Sequence, residues 1–186
     1  MPPIHVLNTS AGDTAISLVP LTFGSPIVVE TGFDRLPRSG PAILYIVAHA
    51  IPNGLLTADG QIMTEQELLE KLQYRKGLPT LLIFDACFAK SFSKIPHLTW
   101  PPSFGLIFSC LEYESTWNEA VPGSPRQSLF SRAIDSALNA YRANRDLTAL
   151  KDTLIKTFDG LQNPYVQASD ALLQDVLGLS EDKAAE

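Results

Sequence analysis

His49 and Cys87 each close an apolar run. The first follows Ala42-Ile43-Leu44-Tyr45-Ile46-Val47-Ala48, and the second follows Thr80-Leu81-Leu82-Ile83-Phe84 and then Asp85-Ala86. A thiol is a strong nucleophile only as the thiolate. A neighbouring imidazole can take its proton and later return one to a leaving amine. The oxyanion formed by such an attack needs fixed donors, and the backbone N–H groups of Ala50 and Cys87 are suitably located for that. Taken singly, a cysteine after a buried strand is more often a small core hydrophobe, and a lone histidine is more often structural. What points to nucleophilic acyl transfer is the pair, because both types stand at the same place after two runs.

The elements that would position the pair follow from period and punctuation. A run apolar on both alternating faces reads as a central strand of a parallel sheet covered on each side. Residues 42–48 and 80–84 read this way, as does Phe104-Gly105-Leu106-Ile107-Phe108, which ends in Ser109-Cys110. Between the first two runs, Thr64 and Glu67 form a capping box ahead of Leu68, Leu69 and Leu72, so a crossover helix joins two parallel strands. Functional groups collect at the carboxyl ends of such strands, and His49, Cys87 and Cys110 are all expected on that rim.

Upstream, residues 15–19 and 25–30 read as short strands, conceivably one hairpin, separated by Pro20, Gly24 and Pro26. Downstream the period is helical: Leu129, Ala133, Ile134, Ala137, Leu138 and Tyr141 share a face, followed by Leu147 to Phe158 and then Ala168 to Leu177. Gly160 and Gly178 are natural stops. The stretches 90–102 and 113–126 read as loops flanking the rim, and 179–186 as a frayed tail. The class is α/β, a mostly parallel central sheet with helices on both faces, in one domain spanning 1–186.

Composition narrows the function. With 45% hydrophobic and 18% charged residues over 186 positions, the chain can bury a real core. A net charge of −6 without a Lys/Arg-rich run argues against nucleic acid as a partner. No apolar run reaches the roughly 20 residues of a spanning helix, and the start lacks the basic-then-apolar pattern of a secretory signal, so a cytoplasmic chain without a membrane partner is expected. Two cysteines are too few for a disulfide framework. Cys87, Cys110 and His49 lack a Cys-x-x-Cys pair and an evident fourth ligand, and no calcium loop is present, so neither metal nor cofactor is expected. His97 follows Cys87 in a Pro-punctuated loop and is the weaker candidate base, and His5 reads as incidental.

The stretch from Tyr45 to Leu56, together with Leu82-Ile83-Phe84-Asp85-Ala86-Cys87, resembles the caspase-like superfamily of cysteine peptidases, which includes caspases, metacaspases and bacterial CHAT peptidases. Those families carry one hydrophobic strand ending in His-Gly and another ending in Asp-x-Cys or Gln-x-Cys. The likeness continues through Phe108-Ser109-Cys110-Leu111-Glu112 and Ser128 to Ile134, covering about residues 42–141. It implies a three-layer caspase-like fold and a thiol endopeptidase with a His49–Cys87 dyad, acting on a protein or peptide substrate, with a regulatory protein partner conceivable. Ala50 replaces the usual Gly after the base. Phe88-Ala89-Lys90 follows the nucleophile without the Gly common there.

The resemblance also implies a specificity pocket. Asp85, two before Cys87, matches the acidic position that receives a basic side chain in metacaspase-like enzymes, and Glu112 matches a second one. A buried carboxylate is costly unless paired, and a substrate Arg or Lys would supply the partner. The other role for Asp85 is to accept backbone N–H bonds and fix its loop, with Glu112 solvated. Lys90, Lys94 and Arg126 would be self-processing points of a basic-selective enzyme. Two other functions stay open: a catalytically silent caspase-like interaction module, and an α/β binding domain whose acidic rim holds a small ligand.

Overall fold

A computed structural model describes residues 3–10, 16–17, 26–52, 54–93, 99–119, 122 and 126–180. In chain order the strands are Ile4–Asn8 (β1), Ile16–Ser17 (β2), Ile27–Val29 (β3), Ala42–Val47 (β4), His49–Ile51 (β5), Gly54–Leu56 (β6), Ile62–Met63 (β7), Thr80–Asp85 (β8), Phe104–Phe108 (β9), Asn118–Glu119 (β10), Arg126–Ser128 (β11) and Tyr165–Gln167 (β12). The helices are Glu65–Lys71 (α1), Leu129–Asn144 (α2), Leu147–Phe158 (α3) and Asp170–Val176 (α4).

The main sheet runs β12-β9-β8-β4-β1-β3, parallel throughout except for β12, which is antiparallel to β9. The period of two sorts its residues into two cores. Ile43, Tyr45, Val47, Leu81, Ile83 and Ile107 face α2, α3 and α4. Leu44, Ile46, Leu82, Phe84, Leu106 and Phe108 face α1 and the turn at Phe33–Leu36. This is the α/β architecture with helices on both faces that the apolar runs dictate. Gly105 lets α4 come close to β9, since a Cβ there would stand 2.7 Å from Leu172 Cδ2 and 3.1 Å from Ala168 Cβ.

The capping box forms as expected. Glu67 N donates to Thr64 Oγ1 at 3.3 Å, and Thr64 N donates to Glu67 Oε2 at 2.7 Å. Trp100 fixes α1 to the start of β9 by donating from Nε1 to Glu65 Oε1 at 2.6 Å, both residues being buried. Gly160 and Gly178 take positive φ at the ends of α3 and α4, as natural stops should.

Several local expectations are corrected. β1 is an interior strand between β4 and β3, although its five residues, Ile-His-Val-Leu-Asn, carry too short an apolar signal to stand out. The upstream strands form no hairpin: β2 pairs with β11, whereas β3 lies parallel to β1. Residues 18–25 lie outside the described residues, as do Lys94, His97 and 181–186. Leu179 and Ser180, assigned to the tail, are tied back through their amides to Gln174 O at 2.7 and 3.3 Å.

Candidate active site

β4 and β8 are adjacent and in register, with Val47 opposite Asp85 as the last pair. Ala48 N then donates to Asp85 O at 3.2 Å, so the chains still run side by side one residue later. His49 and Cys87 each lie two positions beyond that last pair, and both are half-buried. Both therefore leave the carboxyl edge of neighbouring parallel strands at the same level, the edge where functional groups collect.

His49 is not a free strand tip. It begins β5, where it pairs with Leu56 of β6, and β6 pairs in turn with β7. A Cβ on Gly54 would run into the Ile62 side chain, so glycine allows this close return without displacing it. Thr9 locks the hairpin to the end of β1: its N donates to Val47 O at 2.8 Å and its Oγ1 to Leu56 O at 2.9 Å.

Cys87 sits at an elbow between β8 and a 3-10 turn over Ala89–Ser93. The residue after it, Phe88, has φ of 52°, a left-handed conformation that costs a non-glycine residue on the order of 1–3 kcal/mol. The flanking amides are engaged: Ala86 N donates to Ser109 Oγ at 3.2 Å, and Phe88 N to Glu114 O at 2.7 Å. The amide of Cys87 itself is therefore the oxyanion donor to consider on this strand.

Cys110 does not join the rim. It is buried in the α1-side core, where its Sγ lies 3.3 Å from both Ala86 O and Glu114 O. Burial pushes its thiol up to about 11, against the hydrogen bonds around it, which makes it an inert core group.

Asp85 is 1% exposed and binds three hydroxyls. Tyr45 Oη donates to Oδ2 at 2.9 Å, Thr116 Oγ1 lies 3.3 Å from Oδ1, and Ser128 Oγ donates to Oδ2. Burial pushes its carboxyl up to about 6, opposed by those three bonds. Burial, with the charge of Asp85, also raises the Tyr45 phenol well above its ordinary value. Ser128 caps α2 at the same time, accepting from Ser131 N at 3.1 Å. Asp85 thus ties β4, the loop after β9 and the start of α2 to one buried point, through hydroxyls and not the backbone amides that a loop-fixing role suggested. Ser128 was visible in the sequence only as a helix start, and nothing there singled out Thr116 or Tyr45.

Glu112 belongs to another group. Its Oε2 lies 3.9 Å from Lys90 Nζ, and Lys90 stands 4.0 Å from the centre of the Tyr165 ring. The sequence missed Glu114, which holds the rim loop. Its carboxylate accepts from Leu111 N at 3.1 Å, Asn163 N at 2.9 Å and Asn163 Nδ2 at 2.5 Å. Burial raises its pKa, but these bonds outweigh burial and hold it below the ordinary value. Beside it, Trp117 N donates to the buried Gln162 at 2.8 Å, and the indole is half-exposed.

His5, far from incidental, is buried on β1, with Nδ1 2.6 Å from Glu30 Oε1. Among the described residues no group of three or more His, Cys, Asp or Glu could hold a metal ion, and no helix is long and apolar enough to cross a membrane.

No family model matches the chain, and no curated protein matches it in sequence. A solved structure does: that of caspase-1 from Spodoptera frugiperda superposes with a TM-score of 0.56 over 89% of this chain and 86% of that one, at 12% identity. The likeness shows a caspase-like fold.

Proposed function

We propose that the chain is a cysteine endopeptidase that works through a His49–Cys87 dyad and cleaves after Arg or Lys. The observation that carries this reading is the register of β4 and β8. It brings an imidazole and a thiol to equal positions beyond the pair Val47 and Asp85, on a fold shared with a caspase. His49 takes the Cys87 thiol proton, and the thiolate attacks the scissile carbonyl carbon. The N–H groups of Cys87 and Ala50 hold the oxyanion. The tetrahedral adduct collapses to a thioester as the C–N bond breaks, and the imidazolium gives its proton to the departing amine. Water, deprotonated by His49, then attacks the thioester. The carboxylic acid leaves and the thiol is restored.

What supports the basic preference is the setting of Asp85. Its hydrogen-bond donors are neutral hydroxyls, so a guanidinium or ammonium would gain a charge-assisted partner in a dry site. The side chain would enter by parting Thr116 and Ser128, which cover the carboxylate. Glu112, already beside Lys90, would act as a secondary attraction for the same charge.

The test is to incubate the protein with an Arg-directed, thiol-reactive peptide probe and map the adduct. Labelling at Cys87 that disappears in His49→Ala is expected, whereas absent or indiscriminate labelling overturns the dyad. Asp85→Asn and Asp85→Ala should lose the preference for Arg-terminated over Asp-terminated reporters. An unchanged preference removes Asp85 from the pocket.

A further inference from the structure

The residue before Cys87 is held from one side of its strand. Ser109 N donates to Phe84 O at 2.9 Å, which extends the parallel ladder of β8 and β9 by one rung. The next rung of such a ladder would join Ala86 N to the Ser109 carbonyl. That carbonyl instead accepts from Nε2 of the buried Gln162 at 2.7 Å, and the Ser109 hydroxyl takes its place. Ala86 N donates to Ser109 Oγ at 3.2 Å, and the same Oγ donates to Ala86 O at 3.0 Å. Cys110 Sγ lies 3.3 Å from Ala86 O as well. Ser109 and Ala86 are both fully buried, so water does not compete for this clamp.

We infer that Ser109 is a positioning residue for the oxyanion donor, its hydroxyl aiming the Cys87 N–H toward the side of the strand on which His49 lies. In a planar trans peptide the carbonyl and the following N–H point in opposite directions. β9 and β4 flank β8 on opposite sides. An Ala86 carbonyl held by Ser109, on the β9 side, therefore turns the Cys87 N–H to the β4 side, where the chain continues into His49 and Ala50. That N–H has no hydrogen-bond partner among the described residues, whereas Phe88 N, one residue on, is committed to Glu114 O at 2.7 Å. A donor fixed before the substrate arrives needs no reorganisation during attack, which is what makes it effective. This role deepens the proposed peptidase reading and rests on it.

The experiment uses the full chain in three forms: native, Ser109→Val and Ser109→Thr, the two variants being alike in size and differing in the hydroxyl. Two reactions of Cys87 are compared. Iodoacetamide alkylates the thiolate by displacement of iodide and forms no oxyanion. With an Arg-terminated peptide aldehyde the thiolate adds to the carbonyl carbon, the π pair moves to oxygen, and that oxygen takes a proton to give a thiohemiacetal. In Ser109→Val the aldehyde should bind about tenfold more weakly or worse, and kcat for an Arg-terminated amide reporter should fall about 10²-fold with KM little changed, the usual worth of one oxyanion donor. The iodoacetamide rate should stay within about twofold of the native one, since it follows thiolate character and access. Ser109→Thr should recover most of the loss. Unchanged kcat in Ser109→Val, or equal losses in the two variants, overturns the role of the hydroxyl. An iodoacetamide rate that falls together with kcat makes Ser109 a support of the fold alone, and overturns it too. In those cases the native chain still turns over and the peptidase reading stands. A native chain that forms no aldehyde adduct at Cys87 brings down that reading, and the oxyanion role with it.

Discussion

Val47 and Asp85 are the last residues paired between β4 and β8, and from that shared level the two chains run on to His49 and Cys87. A slip of one residue would offset His49 from Cys87 by one position and turn every core side chain of one strand to the wrong face. The register that packs the core is therefore the same one that sets His49 and Cys87 at equal offsets, on which the proposed dyad rests.

With His49 as the proposed base, removing it should leave the fold and take the rate. His49→Ala is expected to lower kcat/KM for an Arg reporter by about 10²–10⁴, the usual worth of a general base, and Cys87→Ala should abolish turnover. Both side chains are half-buried at the rim, so thermal unfolding should shift by only a few degrees.

Asp85 should make the protein less stable as pH rises. Its folded carboxyl sits at about 6, above an unfolded value of about 3.9, so between these the folded state holds more protons than the unfolded one. Stability from this group is fully present below the unfolded value and falls as pH passes through the folded one, by about 3 kcal/mol in all. Urea titrations from pH 4 to 7 should show this fall in the difference between the native chain and Asp85→Asn. Parallel curves for the two would rule it out.

The two thiols should separate in reactivity. Iodoacetamide at pH 8 is expected to label Cys87 in the native protein and to reach Cys110 only after unfolding, because Cys110 is buried and its thiol is pushed up to about 11. Mass mapping of tryptic peptides reads the result directly.

Gly105→Ala should destabilise by about 1–3 kcal/mol, the cost of overpacking. Its new Cβ meets Leu172 Cδ2 at 2.7 Å and Leu81 Cδ1 at 3.2 Å. If that contact is the cause, Leu172→Ala should cost less in the Gly105→Ala background than in the native one, which a double-mutant cycle in urea measures.

Arg75 holds the turn before β4 with no carboxylate partner among the described residues. Fully buried, it donates from Nη2 to Gly40 O at 2.8 Å, from Nε to Thr80 Oγ1 at 2.9 Å, and from Nη1 to Pro37 O. Arg75→Met strands those carbonyls and should cost about 3 kcal/mol or more, and Arg75→Lys should recover only part, because one ammonium cannot span the fork. Denaturant midpoints of the two variants decide it.

The sequence by itself determined the central strands, the crossover helix with its cap and the three C-terminal helices, and it placed His49 and Cys87 two positions beyond the end of β4 and β8. Each rests on a local signal: an unbroken apolar run, a capping box, a 3.6-residue period, a polar group closing a run. Short elements escaped. β1, β5, β6, β7 and β12 have five residues or fewer, too few for a period to declare itself, and their partners lie far along the chain. The tertiary structure alone decided the chemistry of the acids and the second cysteine. Asp85 and Cys110 owe their raised pKa values to burial, and Asp85 gains its hydroxyl partners from Tyr45, Thr116 and Ser128, residues distant in sequence that only the packed sheet and α2 bring together. Residue type says which groups can carry charge, but solvent exclusion and long-range contacts set the cost of carrying it.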